Sequence, residues 1–542
     1  MKIRVENRPF SAQPGATIME CLVSAGFLLR ADCGGHGRCG KCLVQVNGPA
    51  ESGLTPFDDA EANLIGESER ALGYRLACRA RVVGPVSINI PLESRLAEEV
   101  VGKGPLFPTQ PEAFRKPPAR DLPDAWGVAV DIGTTTLAVY LCDLIRPGVI
   151  FSTAVRNPQS IFGDDVISRI DAVRQDPSSL SRMQKMAASA IDWAVSALCR
   201  QAGLEAGRIS EMVCVGNSIM LHLILGEDPS PIGVSPYTPR FLEAKELPAG
   251  AVGLRFCKNA RLRTLPLISG YLGADIVSAA LAVDLENTAP GTLLVDVGTN
   301  GEIILSTRNG FSATSCATGP ALEGAAIHHG MQATSGAIDS VRFVPEKSRL
   351  EYTTIQRGKG LRKPPAGICG SGVISIAAEL LRAGIIQNSG RLNPAFKSDL
   401  LRPGENGIPE YVIVPEDASG PGRAIAFTQA DVRAVQLAKG ALRAGIDLLC
   451  RGGGLQRPSR ILLAGAFGSY INRSDALQIG MFPEMDPAEI EVVGNAAGAG
   501  AVLALLSEEY FMRASEIARK TRVLDLGSHA EFQKTFIDAL SF

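Results

Sequence analysis

The sequence predicts an α/β protein of several domains, and three observations support this fold class. Three cysteines and four glycines lie close together near the N-terminus, from Cys33 to Cys42. Six prolines interrupt the segment from Pro105 to Pro123. Beyond that segment a strand, a tight turn and a second strand occur twice, at about residues 126–141 and 293–305. With 542 residues, of which 46% are hydrophobic and 20% charged, the chain has ordinary globular composition and room for several domains.

The cysteine spacing C-x5-C-x2-C predicts an iron-sulfur site. Thiolates that bind a small inorganic core must converge on one side of it, and glycines at 34, 35, 37 and 40 let the backbone curl around that core. Three clustered cysteines and one distant cysteine are the ferredoxin arrangement for a [2Fe-2S] cluster. The predicted metal ligands are Cys33, Cys39, Cys42 and Cys78. A structural zinc site and free thiols are the alternatives, although zinc sites usually present two close pairs of ligands.

Residues 1–91 suit a small β-grasp ferredoxin domain. The expected strands are KIRVEN, CLVQVNG, ACRARV and VSINI, with helices at about residues 17–26 and 57–65. Residues 92–125 are predicted to be a linker, because prolines separated by charged residues resist both helix and sheet. Such a semi-rigid linker would let the ferredoxin domain swing as a body, and a loop packed flat on the next domain is the alternative.

The two hairpins indicate an internal duplication. WGVAVDIGTTTLAVYL and LLVDVGTNGEIIL share an Asp, a Gly and a Thr at matching places, and mixed helices and strands follow each copy. The sequence therefore predicts two α/β lobes around a cleft, at residues 126–288 and 289–542. From about residue 505, a helix, the strand RVLDL and a final helix form a C-terminal extension of the second lobe.

The chemistry of the hairpins favours phosphate binding. A phosphate needs N–H and hydroxyl donors at close range, which a glycine turn with threonines provides. Asp131 and Asp296 are expected to hold Mg²⁺ through water, because Mg²⁺ keeps most of its hydration shell. Together with Glu302 they are the candidate catalytic residues of this part of the chain. The candidate phosphate-binding residues are Gly133, Thr134, Thr135, Thr136, Gly298, Thr299 and Asn300.

A third element, ILLAGAFGSYIN, begins as a buried strand and ends in a glycine turn. Such a turn lets an adenine ring lie over bare backbone, and a plain strand-to-helix junction is the alternative. The candidate adenosine-binding residues are Gly465, Ala466, Phe467 and Gly468.

These three elements resemble the phosphate-1, phosphate-2 and adenosine motifs of the superfamily that contains acetate and sugar kinases, heat-shock chaperones and actin. The resemblance covers about residues 126–510 and implies a two-lobed, actin-like ATPase core. It departs from many of the kinases at Ala466, where they carry a second consecutive glycine.

A [2Fe-2S] ferredoxin domain fused to such a core resembles the reductive activators of corrinoid enzymes along the whole chain. Several other segments also resemble sequences of that family: RNPQSIFGDDVISRI, VGNSIM, SGYLGADI, ATSGAID, ICGSG and QLAKGALRAGIDLL. The resemblance implies that the cluster passes one electron to an inactive cob(II)amide, on a partner corrinoid protein of a methyltransferase system, and that ATP makes this transfer to cob(I)amide possible. The implied cofactors are the [2Fe-2S] cluster, ATP and Mg²⁺, and a homodimer is suggested.

Ser335 is a further candidate catalytic residue. It lies beside a glycine in ATSGAID, from where its hydroxyl could reach the partner's cobalt as a weak oxygen ligand. A hydroxyl that caps a turn is the alternative.

Charge and composition restrict the classes of partner that we expect for this protein. A net charge of −2 and a pI near 6.3 give no basic field for nucleic acid or anionic lipid. The cysteines lack a disulfide framework and no apolar leader begins the chain, so we expect a cytoplasmic protein that does not enter the membrane. No G-x-G-x-x-G follows a strand, so an external low-potential donor is expected to supply the electron.

Two other functions remain open from the sequence. One is a metabolite kinase with a redox-sensing ferredoxin domain attached. The other is a nucleotide-gated docking module in which the cluster merely senses oxygen. Turnover of ATP with a sugar or carboxylate would favour the first, and failure to pass an electron to any cobalamin protein would favour the second.

Overall fold

A computed structural model describes most of the chain, in two compact units. The described residues are 2–5, 8–24, 27, 29, 37, 40, 42–47, 53–91, 94, 125–163, 165–298, 300–324, 326–356, 363–404, 407–465 and 468–542. The first unit contains residues 1–278 and 497–518, and the second contains residues 279–496 and 519–542. Most of the predicted linker, residues 95–124, lies outside the described residues.

The N-terminal part of the first unit is a five-stranded sheet of β-grasp type with the strand order β2-β1-β5-β3-β4. Strands β1 and β5 are parallel, and the other neighbours are antiparallel. The strands are β1 (Lys2–Val5), β2 (Arg8–Ser11), β3 (Leu43–Val46), β4 (Tyr74–Leu76) and β5 (Val86–Asn89). The helices are α1 (Ile18–Ser24), α2 (Asp59–Leu64) and α3 (Glu67–Ala71).

The prediction of one strand in this domain is wrong. The run ACRARV is not a strand, because β4 ends at Leu76 and the chain turns through residues 77–79. Arg81 and Val82 form only isolated bridges, to Thr17 and Leu54. The alternation of side chains in this run therefore reflects a turn and two bridges, and Cys78 lies in the turn. The second strand, β2, was not predicted.

The rest of the first unit is built on a six-stranded sheet with the order β10-β11-β9-β6-β7-β8. Strands β11, β9 and β6 are parallel, whereas β6, β7 and β8 are antiparallel neighbours. The strands are β6 (Trp126–Ile132), β7 (Thr136–Asp143), β8 (Gly148–Arg156), β9 (Ile209–Gly216), β10 (Glu246–Pro248) and β11 (Arg261–Thr264). The helices that begin in this part of the chain are α4 (Val166–Gln175), α5 (Ser178–Ala202), α6 (Ser218–Leu225) and α7 (Ala274–Ala282).

The second unit repeats this pattern with the strand order β22-β21-β12-β13-β14-β23. Strands β22, β21 and β12 are parallel, and β12, β13 and β14 are antiparallel neighbours. The strands are β12 (Thr292–Val297), β13 (Gly301–Thr307), β14 (Gly310–Cys316), β21 (Arg460–Ala464), β22 (Ile490–Gly494) and β23 (Thr521–Val523). Two parallel neighbours followed by two antiparallel hairpins occur in both sheets, which agrees with the duplication seen in the sequence.

Two three-stranded sheets complete the second unit, with the orders β16-β15-β17 and β18-β19-β20. Their strands are β15 (Ala337–Val344), β16 (Arg349–Thr354), β17 (Gly367–Ile368), β18 (Leu401–Pro403), β19 (Pro409–Val414) and β20 (Ile425–Thr428). The remaining helices of the chain are α8 (Gly370–Arg382), α9 (Gln429–Gly452), α10 (Arg473–Gln478), α11 (Ala496–Leu506), α12 (Glu508–Lys520) and α13 (Phe532–Asp538).

Local sequence explains where the principal helices begin and end. Helix α4 begins because the Asp165 carboxylate accepts a hydrogen bond from the Ser168 N–H, and α9 begins with a reciprocal box between Thr428 and Asp431. Helix α5 ends at Gly203, which has a left-handed φ of +68°. Among the described residues, no helix is both long and apolar enough to cross a membrane.

The C-terminal elements make three contacts, each within one unit. Strand β23 pairs with β14, and α13 packs against α9, within the second unit. By contrast, Glu508 at the start of α12 forms an ion pair with Arg263 on β11, within the first unit.

Candidate functional site

Pairing of β3 with β4 brings two of the predicted cluster ligands together. Cys42 directly precedes β3 and Cys78 follows β4, and Leu43 is paired with Leu76 across the two strands. The two sulfur atoms are 3.4 Å apart, and both residues are buried. Cys33 and Cys39 lie outside the described residues, and no group of three metal-binding side chains is found among the residues that are described.

Buried contacts fix the turn that carries Cys78. The Arg75 guanidinium is fully buried and forms a two-pronged ion pair with the Glu61 carboxylate of α2, at 2.9 and 2.8 Å. The same carboxylate accepts a hydrogen bond from the Leu76 N–H at 2.9 Å. Because both charges are paired and hydrogen-bonded, breaking this contact would leave an uncompensated buried charge. The end of β4, and with it Cys78, is therefore held rigidly.

The cluster end of the ferredoxin domain faces helices α4 and α5. Cys78 lines a cavity of about 410 Å³ with residues of both parts of the first unit, among them Arg79 and Gln175. Glu20 on α1 forms an ion pair with Arg182 on α5 beside this cavity. In the structure, the ferredoxin domain is thus docked on the helices that follow the first hairpin.

The first phosphate hairpin is a tight turn that requires glycine. The Gly133 N–H donates to the Thr136 carbonyl at 3.0 Å, and a Cβ at position 133 would lie only 2.6 Å from that oxygen. Asp131, Thr134, Thr135 and Thr136 are all partly exposed at this end of the sheet. The structure therefore brings together the residues predicted for the first hairpin.

Side chains behind the first hairpin hold it in place. Arg169 donates to the Thr134 carbonyl at 2.6 Å, and Asn157 donates to the Gly133 carbonyl at 2.9 Å. Asn217, the N-cap of α6, donates to the Thr134 hydroxyl at 3.1 Å. These contacts orient the hairpin, so its geometry does not depend on the turn alone. They come from RNPQSIFGDDVISRI and VGNSIM, to which sequence reasoning had assigned no role.

The second hairpin places two candidate carboxylates side by side. Asp296 on β12 is directly opposite Glu302 on β13, and Glu302 is buried. Directly opposite residues in an antiparallel pair have their Cβ atoms about 5 Å apart. The Gly298 N–H donates to the Asn300 carbonyl at 3.2 Å, which closes the turn, whereas Thr299 lies outside the described residues.

The predicted adenosine loop meets the second hairpin at Gly465. This glycine has φ +93°, and a Cβ there would lie 2.6 Å from the Asp296 carboxylate and 3.0 Å from the Val297 carbonyl. A side chain at this position would therefore displace the carboxylate or the strand. Gly468 begins a short 3-10 helix, and Ala466 and Phe467 lie outside the described residues.

Ser335 occupies the tip of a turn that leads into β15. The Ala337 N–H donates to the Thr334 carbonyl at 3.0 Å, and Gly336 has φ +94°, as a type II turn requires. The Ser335 side chain is partly exposed, and no described residue hydrogen-bonds its hydroxyl. The alternative in which this hydroxyl caps the turn therefore has no supporting contact among the described residues.

Three family models match consecutive parts of the chain. A 2Fe-2S iron-sulfur cluster binding domain matches residues 2–83, the RACo middle region matches residues 126–288, and the C-terminal domain of RACo, the ASKHA domain, matches residues 291–542.

Relatives match over most of their length. A corrinoid activation enzyme, RamQ, of Eubacterium limosum is 31% identical over 96% of this chain and 95% of its own. The [Co(II) methylated amine-specific corrinoid protein] reductase of Methanosarcina barkeri is 25% identical over 77% of each chain. A solved structure of a reductive activator for corrinoid, iron-sulfur protein has a TM-score of 0.70 and 30% identity, and covers 100% of this chain and 98% of its own. The chain therefore belongs to the RACo family, in which a [2Fe-2S] ferredoxin domain is joined to an ASKHA ATPase domain.

Proposed function

We propose that this protein is an ATP-dependent reductive activator of a corrinoid protein, which reduces cob(II)amide to cob(I)amide by one electron. The observation that carries the proposal is the match to a reductive activator over both chains from end to end. A match of this extent favours the activator over a metabolite kinase with a redox-sensing ferredoxin domain, and over a docking module.

The ferredoxin domain supplies the electron-carrying site. We propose that Cys42 and Cys78 bind the same iron, because their sulfur atoms are 3.4 Å apart and two tetrahedral thiolate ligands on one metal lie roughly 3.8 Å apart. Cys33 and Cys39 complete the ligand set in this proposal. The cluster supplies a single low-potential electron when bound, and such centres lie near about −400 mV.

The two hairpins and the glycine loop supply the nucleotide site. We propose that Thr134, Thr135 and Thr136 donate to phosphate oxygens, together with Gly298, Thr299 and Asn300 of the second hairpin. In this assignment Asp131 and Asp296 orient water molecules around Mg²⁺, and Glu302 is the third carboxylate of the site. The close approach of Gly465 to Asp296 supports the fit, because bare backbone there leaves room beside the carboxylate. Ala466, Phe467 and Gly468 would line the adenine.

ATP is needed because the reduction potential of cob(II)amide is lower than that of an ordinary ferredoxin, so the transfer of the electron is uphill. A shift of about 59 mV for one electron corresponds to about 1.4 kcal/mol. A nucleotide can supply a free-energy difference of this kind only if the ATP and ADP states of the protein bind the corrinoid partner with different affinities. We propose that Ser335 contributes to that difference by offering its hydroxyl to the partner's cobalt, which would change the ligation of the metal.

The electron donor, the oligomeric state and the cellular compartment belong to the same proposal. An external low-potential donor reloads the ferredoxin domain, and the active protein is a homodimer. The compartment is the reducing cytoplasm, which fits the absence of a disulfide among the described cysteines.

The proposal is tested by anaerobic mixing of the dithionite-reduced protein with a corrinoid protein in its cob(II)amide state. The cob(II)amide absorption is expected to disappear when MgATP is present. If the absorption persisted with every corrinoid protein tried, while ATP was consumed with a sugar or a carboxylate, the kinase alternative would replace this proposal.

A further inference from the structure

The backbone of the first phosphate hairpin is held from behind by two side chains. Asn157 donates from its side-chain amide to the Gly133 carbonyl at 2.9 Å and from its backbone N–H to the Thr135 carbonyl at 2.8 Å. Arg169 of α4 donates to the carbonyl between them, that of Thr134, at 2.6 Å. Both Asn157 and Arg169 are fully buried. Three successive carbonyls of the hairpin are thus tied to these two side chains, so the hairpin backbone cannot shift without acting on them.

A buried glutamine joins the two side chains to helix α5. The Gln159 Oε1 atom accepts from Asn157 at 3.2 Å and from Arg169 at 3.3 Å. The Nε2 atom of the same amide donates to the Met183 carbonyl of α5 at 3.2 Å. Because Gln159 is fully buried, its hydrogen bonds do not compete with bulk water. A movement of the hairpin therefore acts, through Gln159, on α5 at Met183.

Arg182, which directly precedes that contact in α5, holds the ferredoxin domain. It forms an ion pair with the buried carboxylate of Glu20 on α1. The same carboxylate accepts the Thr17 N–H at 2.7 Å, which caps α1 and fixes the glutamate. The Arg182 guanidinium also lies 4.9 Å from the centre of the Phe162 ring, at the end of the short 3-10 helix that contains Gln159. We call the side chains of Glu20, Arg182 and Phe162 the ferredoxin dock.

The docked position turns the side of the ferredoxin domain that carries Cys78 toward helices α4 and α5. Cys78 lines the same cavity as the three side chains of the ferredoxin dock. Gln175 of α4 and Ser179 of α5 line it as well. Because these helices occupy that side of the domain, close approach of a partner protein to Cys78 requires the domain to leave the ferredoxin dock.

We infer that nucleotide binding at the first hairpin is coupled to the ferredoxin dock through Gln159, so that ATP favours release of the ferredoxin domain. The hydrogen bonds, the ion pair and the ring contact form a continuous path from the hairpin to Glu20, and coupling between sites is carried by such networks. The inference rests on the proposed function, from which it takes the ATP site and the outside partner. It assigns a role to RNPQSIFGDDVISRI, which supplies Asn157, Gln159, Phe162 and Arg169.

The coupling predicts an effect in the reverse direction, on nucleotide affinity. If one equilibrium shifts another by some factor, the second must shift the first by the same factor. A change that weakens the ferredoxin dock must therefore strengthen binding of the nucleotide. Couplings of this type in proteins amount to about 5- to 150-fold in affinity. A gain in affinity separates the inference from a merely structural role, which would produce a loss.

The test is calorimetric titration of the anaerobically purified full chain with the non-hydrolysable ATP analogue AMP-PNP and Mg²⁺. Glu20→Gln and Arg182→Gln each remove the ion pair of the ferredoxin dock, from opposite sides and outside the proposed nucleotide site. The affinity for AMP-PNP is expected to rise about fivefold or more in both. The double variant should show no further gain, because either change removes the same contact. Glu67→Gln, at an exposed carboxylate of the ferredoxin domain, is the matched control and should bind like the parent.

A third variant tests the path itself. Gln159→Met keeps a side chain of similar length but removes the amide that joins Asn157 and Arg169 to the Met183 carbonyl. In this background Glu20→Gln should no longer change the affinity for AMP-PNP. Small-angle X-ray scattering reports the release directly. AMP-PNP should increase the radius of gyration of the parent, and Glu20→Gln should show the larger radius without nucleotide.

The outcomes separate this inference from the proposed function. Unchanged or weaker AMP-PNP binding in both Glu20→Gln and Arg182→Gln, with normal binding by the parent, would overturn the inference alone. An equal gain in Glu67→Gln would also overturn it, because the effect would then follow from net charge. The same holds for a radius of gyration that neither AMP-PNP nor Glu20→Gln altered. A parent protein that bound neither AMP-PNP nor ATP would overturn both the inference and the proposed function.

Discussion

The sulfur atoms of Cys42 and Cys78 are 3.4 Å apart, although 36 positions separate the two residues in the chain. A disulfide would place them about 2.05 Å apart, so these are two thiols held next to each other without a bond. The pairing of β3 with β4 and the buried contact between Glu61 and Arg75 produce this distance. The fold thus brings two cysteine thiols together from elements far apart in sequence.

Replacing Cys78 by Ser is expected to abolish the cluster while the ATPase part stays folded. The matched control is Cys21→Ser, because burial raises the pKa of the Cys21 thiol to about 11 and keeps it protonated. Visible absorption of the anaerobically purified proteins is the measurement. A full reddish-brown spectrum in the Cys78 variant would show that the ligand assignment is wrong. Loss of the cluster is likewise expected for Cys39→Ala, which tests a ligand that lies outside the described residues.

Replacing Gly465 by Ala is expected to weaken ATP binding by about tenfold or more, because the new Cβ would meet the Asp296 carboxylate at 2.6 Å. Gly203→Ala is the control, since Gly203 also has a left-handed φ, +68°, with no atom within 4 Å of an added Cβ. Both variants should lose about 1 to 2 kcal/mol of stability from backbone strain. Equal ATP affinity in the two variants would contradict the nucleotide role of Gly465.

Acid is expected to destabilise the first unit through His222. Its Nδ1 lies 2.6 Å from the Ser218 carbonyl and its Nε2 accepts from the Arg240 N–H at 2.9 Å, so the ring must be neutral. Burial lowers the pKa of His222, whereas the unfolded chain takes up this proton below about pH 6.5. The stability is therefore present above that pH and is lost as the pH falls.

The measurement for His222 is the melting temperature from about pH 7.5 to about pH 5.5. His222→Phe should melt lower than the parent at neutral pH and should show a smaller further decrease in acid. His529→Gln, a change at a partly exposed histidine, should keep the parent's pH dependence. If His222→Phe lost as much stability in acid as the parent, another group would be responsible.

Replacing Ser335 by Ala is expected to slow only the reduction of the partner's cobalt. The cluster spectrum and ATP affinity should stay at parent values, because Ser335 lies in a turn that is closed by backbone contacts. Stopped-flow absorption of cob(II)amide is the measurement. Equal rates for Ser335→Ala and the parent would remove the serine from the mechanism.

Replacing Asp296 by Ala is expected to uncouple ATP from repeated reduction. The variant should load an electron normally and reduce at most one equivalent of partner, because without productive hydrolysis the complex is not driven apart. The number of equivalents reduced per protein is the measurement. Many equivalents at the parent rate would show that Asp296 is not required.

The hairpins were predictable because their signal is local. Apolar runs around D-x-G-T define the strands, and the glycine turn between them is fixed by contacts within a few residues, such as that from Gly133 to Thr136. Helices were expected after each hairpin for the same reason, since helical periodicity and caps lie in continuous sequence.

Features that depend on distant contacts were not predictable. The run ACRARV alternates like a strand, yet the chain turns there and brings Cys78 to Cys42. Arg169 is fully buried, which the sequence could not indicate because an arginine is rarely buried without partners supplied by the fold.

The most direct test of the account is a count of cob(II)amide equivalents reduced by the parent protein under anaerobic conditions. The reduced protein, excess electron donor and an excess of the corrinoid partner are mixed with MgATP, with MgADP or without nucleotide, and the cob(II)amide absorption is followed. The account predicts many equivalents per protein with MgATP and at most one without it. Multiple turnovers at the same rate in all three mixtures would show that ATP has no part in the transfer, and would contradict the central claim.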